Sequence, residues 1–190
     1  MGVGAFLPFG EGTKLAHITV LESVEQGWWY CATLSPDRMT AVFFSDADIV
    51  SKQAYHTMAG WTGLLQQTRQ VKQLLQGANA NEELWVKNAH TQISHCIDSR
   101  SFLAIGDAAL AFDPVSSFGI GFAITSACQA AAIVLLELSK PERQRILAYQ
   151  RDLERHFNQY QVLRRKIYGH ERRWPAAAFW QRRQEKMATV

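Results

Sequence analysis

Residues 102 to 131 read FLAIGDAALAFDPVSSFGIGFAITSACQAA and concentrate the side chains with the most chemical capacity in the chain. Asp107 follows Gly106 at the end of an apolar run, where a carboxylate can accept hydrogen bonds from the hydroxyls of a polyol. The pair Asp113-Pro114 occupies the loop beyond it. Ser116, Ser117, Gly119, Ile120 and Gly121 then open a long alanine-rich helix. Small residues there let the backbone approach a flat ligand closely. The first amides of a helix have no partner inside it and carry the positive end of its dipole, so they stabilise an anionic or electron-rich edge. A lone Gly-Asp pair would serve equally well as a turn; the proline loop and the glycine-rich helix start around it are what point to a ligand cradle.

Other chemistries are less well supported. His90 and His95 are five residues apart, and in a strand that spacing points the two rings to opposite faces. With no carboxylate at ligand spacing, Cys96 does not complete a metal set, and no metal site is expected. Ser116 and Ser117 lack the GxSxG elbow of a hydrolase. The three cysteines, Cys31, Cys96 and Cys128, are far apart and odd in number, which argues for buried thiols rather than a disulfide framework. No general acid or base can be named.

The elements that must position these residues are of mixed type. Lys14 to Glu22 and Gly27 to Leu34 are β-prone, Ser35-Pro36-Asp37-Arg38 supplies turn chemistry, and Met39 to Ser45 makes a third strand of an antiparallel meander. Trp28 and Tyr30 share one face of the second strand and are candidates for a substrate-pocket wall. Asp46 and Asp48 are candidate N-caps. Trp61, Leu64, Leu65, Thr68, Val71, Leu74 and Leu75 form one helical stripe that stops near Gly77. Short strands are predicted at His90 to Ile97 and Phe102 to Ile105, and helices at Ile120 to Leu138 and from Pro141 through Ile146, Tyr149, Leu153, Phe157, Tyr160 and Leu163. The class is α+β. Its divisions are a sheet and helix at 1–89, the Gly-Asp segment at 90–140 and basic helices at 141–190.

The Gly-Asp segment resembles the second FAD-binding motif of flavoprotein monooxygenases related to p-hydroxybenzoate hydroxylase, a superfamily that includes flavin-dependent halogenases. The resemblance implies that Asp107 of the Gly106-Asp107 pair binds the flavin ribityl chain. It also implies that Asp113 and Pro114 form the loop, and that Ser116, Ser117, Gly119, Ile120 and Gly121 face the isoalloxazine. GWWYCATL and the Ser45-Asp46-Ala47-Asp48 that follows resemble the superfamily's substrate-side sheet. Glu171-Arg172-Arg173-Trp174-Pro175 and Phe179-Trp180-Gln181-Arg182-Arg183 are similar to the ends of halogenase-like members, especially flavoproteins that act during quinone-cofactor maturation. The N-terminal GxGxxG fingerprint of a Rossmann unit is absent, so the chain is expected to be the C-terminal half of such an enzyme. On its own it should be inactive. The Trp-x-Trp-x-Ile-Pro signature of halogenases is also absent, because Trp28 and Trp29 are adjacent.

Composition bounds these readings. The 190 residues are 47% hydrophobic and 19% charged, which suits one globular domain or one lobe of a larger protein. No run of roughly 18 uninterrupted apolar residues is present, and the first residues lack a signal-peptide pattern, so a cytoplasmic protein without membrane contact is expected. Residues 1–140 carry 8 basic and 12 acidic side chains, while 141–190 carry 12 and 5. The basic residues Arg164, Arg165, Lys166, Arg172 and Arg173 fall at helical spacing among packing aromatics, which favours a solvated face over nucleic-acid binding. The implied partners are an N-terminal FAD-binding half or partner protein, and a small molecule or protein side chain as substrate. The rival reading is an interaction module that keeps the fold without the cofactor. Apolar surface meant for a missing sheet should be left uncovered.

Overall fold

The computed structural model describes residues 1–10, 15–79, 83–94 and 102–184. The chain divides into two compact units, one formed by Met1–Asn88 with Tyr168–Val190 and the other by Ala89–Ile167.

The first unit is built on a five-stranded antiparallel sheet. Its strands are β1 (Gly2–Pro8), β2 (Thr19–Val24), β3 (Gly27–Ser35), β4 (Arg38–Phe44) and β5 (Trp85–Lys87), in the order β2-β3-β4-β1-β5. The predicted meander is β2-β3-β4. Two strands escape the sequence reading: β5, where residues 82–87 read as a short turn or helix, and β1, which sits between β4 and β5. Its alternation explains the placement: Val3, Ala5 and Leu7 face the core, while Gly4 lies under Trp85, where a Cβ would come within 2.6 Å of Trp85 Cζ2. On the core face Trp29, Cys31, Met39 and Phe43 pack against Val50 of α1 (Ala47–Lys52), Trp61 and Leu64 of α2 (Met58–Leu65) and Val71 of α3 (Gln70–Leu74). Burying each large side chain contributes roughly 1.5–3 kcal/mol. The indole N–H of Trp61 donates to the carbonyl of Val3 at 3.2 Å, so its burial leaves no orphaned donor.

The single predicted helix from Trp61 to Leu75 is two helices. Glu22 on β2 accepts the amides of Arg69, Gln70 and Val71 at 2.6, 2.9 and 2.9 Å, and this carboxylate cap starts α3 anew. Sequence spacing along one helix cannot reveal a cap reaching in from a strand. Asp46 precedes α1 but makes no side-chain cap; its carboxylate binds Arg183 and Arg182 of α6 (Ala178–Gln184). Burial pushes the Asp46 carboxyl up, but these two guanidinium groups outweigh it and hold the group below its ordinary value. Hydrogen bonding to Arg182 lowers Asp48 to about 2, and hydrogen bonding to Arg173 lowers Glu171 to about 2. Arg173 is thereby held by Glu171, both through its guanidinium and through its amide. Burial pushes the Cys31 thiol up to about 12, which makes it inert, whereas Cys128 is exposed, contrary to expectation.

The second unit contains a two-stranded ladder, β6 (Gln92–Ile93) with β7 (Leu110–Ala111), and two long helices, α4 (Gly119–Ser139) and α5 (Arg143–Tyr168). Ala109, Tyr149 and Leu153 form its core with Ile93, Leu103, Ala104, Phe122 and Ile133. The predicted strand over Phe102 to Ile105 is not formed among the described residues: a strand needs a neighbour to pair with, and this segment has none there. His95, Cys96 and the end of the predicted strand at His90 to Ile97 lie outside the described residues. Helix α4 spans 21 residues and has an 18-residue window of mean hydropathy 1.9, of which only 11% is buried. By length and composition alone it could cross a membrane, although it contains no uninterrupted apolar run of that length: Thr125, Ser126 and Gln129 break it without lowering its mean far. Ile120, Ile124, Leu135 and Leu138 are 81%, 61%, 70% and 79% exposed.

The carboxylates paired with α6 and its preceding turn titrate below their unfolded values. Their contribution to stability is therefore full above about pH 4.5 and lost as the pH falls toward about 2. Thermal melts of the native chain and Arg182→Gln should differ at neutral pH and converge over that range. A difference that persists undiminished at about pH 2 would contradict this account of the pairing.

Candidate functional site

The site is assembled in the second unit from a corner, a loop and the start of α4. Gly106 opens a 3₁₀ turn, Gly106–Ala108, with φ +53°, a left-handed conformation that costs other residues roughly 1–2 kcal/mol. Its amide donates to Ser126 Oγ at 3.0 Å, and a Cβ at Gly106 would lie 3.4 Å from that of Ala123. Gly106 thus brings the corner against α4. Asp107, the next residue, is exposed, and its carboxylate makes no hydrogen bond or ion pair with the described residues.

Asp113 has the opposite environment. Only 6% exposed, it caps a second 3₁₀ turn (Pro114–Ser116): one carboxylate oxygen accepts the amide of Val115 at 3.2 Å, and the other accepts Nε of Arg164 on α5 at 3.2 Å. Its own amide donates to the Tyr160 hydroxyl at 2.8 Å, and that hydroxyl also lies 3.0 Å from Thr91 Oγ1. Burial raises the Tyr160 phenol above its ordinary value, partly offset by these hydrogen bonds, so it remains protonated. Ser116 Oγ donates to the Asp113 carbonyl at 2.9 Å, which turns the serine into the loop. Ser117 is left-handed at φ +56° and reverses the chain into α4. Phe118 stands at the N-cap of α4 without a side-chain cap of its own, and its amide donates to Ser116 Oγ at 3.4 Å. A Cβ on Gly119 or Gly121 would meet nothing within 4 Å. An uncapped helix start with open space beside it can take an electron-rich planar edge, and the open Asp107 carboxylate can take hydroxyls.

The structure therefore gathers Gly106, Asp107, Asp113, Pro114, Ser116, Ser117, Gly119, Ile120 and Gly121 into one continuous stretch around the start of α4. Their roles differ, because Asp107 and the helix start are open while Asp113 is structural. Trp28 and Tyr30 belong to the other unit. Trp28 is buried, stacked on Phe44 at 4.5 Å between ring centroids, and its indole donates to the Tyr168 hydroxyl at 3.1 Å. Only Tyr30 of the two is partly exposed. Tyr160 and Arg164 were missed as site residues; they read as packing and charge on an amphipathic helix, and only the fold brings them to Asp113.

Comparison with known proteins places this arrangement in a class. The chain matches no protein-family model. Over 99% of its length it superposes on 45% of the peptidyl tryptophan dihydroxylase QhpG, with a TM-score of 0.83 and 24% identity. Over 98% it superposes on 35% of the flavin-dependent halogenase CmlS, with a TM-score of 0.81 and 22% identity. The fold is that of the matching portion of these enzymes, with the mixed antiparallel sheet and helices read from the sequence. In sequence the chain is 39% identical over 184 residues to LodB of Marinomonas mediterranea, a protein described as an FAD-dependent oxidoreductase. That stretch is 96% of this chain and 48% of LodB, so the chain spans about half the length of the curated relative it matches.

Removing the Tyr160 hydroxyl leaves the buried amide of Asp113 without its partner, at a cost of about 1–3 kcal/mol. Tyr160→Phe should lower stability by that order and speed hydrogen exchange at the amides of Asp113 and Val115 more than elsewhere in the second unit. Unchanged exchange at those two amides would remove Tyr160 from the support of the loop.

Proposed function

We propose that this chain is the portion of an FAD-dependent oxidoreductase of the monooxygenase type that holds the ribityl chain and the isoalloxazine ring and contributes the substrate-side sheet. The observation that carries the reading is the pairing of an exposed Asp107 carboxylate, without a partner among the described residues, with an α4 start that Phe118 does not cap and open space at Gly119 and Gly121. These groups fit a flavin. Asp107 would accept hydrogen bonds from the ribityl hydroxyls, and the amides of Gly119, Ile120 and Gly121 would face the pyrimidine edge, where a reduced flavin carries negative charge. When bound, the flavin supplies the redox chemistry. The chain's own residues bind and orient it: Gly106 sets the corner, while Asp113, held by Arg164 and Tyr160, sets the loop. The similarity to an FAD-dependent oxidoreductase along nearly the whole chain supports the same assignment.

The substrate in this reading is a small molecule or a side chain of a partner protein, placed against the face that carries Tyr30. Halogenation is the less favoured chemistry because the chain lacks the Trp-x-Trp-x-Ile-Pro signature. The uncovered apolar side of α4 supports a further part of the proposal, that an FAD-binding half completes the protein by packing there. It also favours the second reading, an interaction module in which α4 is a docking face and no flavin is bound. Under the flavin reading α4 covers a sheet rather than crossing a bilayer, and the protein is cytoplasmic.

Titration of the chain with FAD, followed by flavin fluorescence and by visible absorbance co-eluting with protein, separates the two readings. Binding is expected. A charge-assisted hydrogen bond contributes about 1.5–3 kcal/mol, so Asp107→Ala should weaken binding by about tenfold or more. An identical dissociation constant for Asp107→Ala would remove the assigned role of that residue, and no FAD binding by the native chain would favour the interaction module.

A further inference from the structure

Ser126 is buried on a helix whose apolar residues are not. Of the 21 residues of α4 only Ser126 and Ala130 are buried, while Ile120, Ile124, Leu135 and Leu138 are exposed. The hydrophobic effect alone would place these residues the other way round. A serine at 2% exposure is tolerated because its hydroxyl is fully engaged. Its hydrogen goes to the carbonyl of Ala123, within the helix, at 3.2 Å. An amide can only donate, so the same oxygen accepts the Gly106 amide at 3.0 Å through a lone pair.

That bond fixes a distance within the cradle. The Gly106 carbonyl accepts the amide of Ala109 at 2.9 Å, and Ala109 and Leu110 are fully buried. Gly106 is therefore anchored through both its amide and its carbonyl, and Asp107 lies between the anchored residues. Ser126 stands two helical turns beyond Gly119, about 10 Å along α4. One helix thus carries the amides assigned to the ring edge and also the anchor of the carboxylate assigned to the ribityl hydroxyls. We infer that Ser126 is the positioning residue that sets the span between these two groups, and so makes the site selective for a flavin with its polyol arm over the bare tricyclic ring. The inference deepens the flavin reading given above and rests on it.

Fluorescence titrations of the full chain with riboflavin and lumiflavin test it, because the two share one ring system and only riboflavin carries the ribityl chain. The native chain should prefer riboflavin. Ser126→Ala should weaken riboflavin binding by about three- to tenfold and leave lumiflavin binding unchanged, which also shows that the helix start remains folded. In the Asp107→Ala background the same replacement should cause no further loss, since the carboxylate it positions is gone. Ser126→Thr keeps a hydroxyl that can bond the carbonyl three residues back, and should retain the native preference. Equal native affinity for the two flavins, equal weakening of both by Ser126→Ala, unaltered riboflavin binding, an additive loss in the double variant, or a Ser126→Thr chain no better than Ser126→Ala would overturn the role of Ser126 and leave flavin binding itself standing. A native chain that binds neither flavin would refute the flavin reading, and this inference with it.

Discussion

The buried carboxylate of Asp113 is the constraint on which the rest of the second unit depends. A carboxylate so far removed from water is tolerated only with charged and hydrogen-bonded partners, and it has both in Arg164 and the amide of Val115. Those partners come from the helix that follows α4 and from the loop itself, so satisfying one charge fixes the loop against α5. The left-handed Ser117 then leads the chain into α4. The Phe118 side chain does not cap this helix start, so a ligand can take the place of water at its first amides.

The same logic applies at the other end of the corner. Gly106 approaches α4 closely enough for its amide to reach Ser126, which leaves Asp107 projecting into solvent with no partner among the described residues. Two neighbouring aspartate-containing turns thus differ completely in role, one sealed and one open, because one lies under α5 and the other does not. The apolar surface of α4 belongs to the same picture. Ile120, Leu135 and Leu138 on this helix are mostly exposed, so a wide apolar side of α4 faces solvent among the described residues.

Much of this was legible in the sequence, and the gaps have physical causes. The order of Gly106, Asp107, Asp113, Pro114 and the small residues before Ile120 is local, so one stretch of chain displays it; α4 was found to within a residue at either end for the same reason. What could not be read were interactions across the fold. The β1 strand hides behind two glycines because its identity depends on Trp85 lying over Gly4. The break between α2 and α3 depends on Glu22, 47 residues before Arg69. Asp46 reads as a helix cap and instead pairs with Arg182 and Arg183, and Tyr160 and Arg164 read as ordinary residues of an amphipathic helix until the fold brings Asp113 to them. Phe102 to Ile105 shows the converse error: strand propensity is legible, but a partner strand is not.

Nitrogen-labelled NMR of the chain during addition of FMN tests the central claim most directly, because it reports on single amides and needs no turnover. The account predicts that the amides of Asp107, Gly119, Ile120 and Gly121 shift first and furthest, with Asp113 little changed because its amide is already bound to Tyr160. Shifts that leave the start of α4 untouched while FMN binds elsewhere would contradict it.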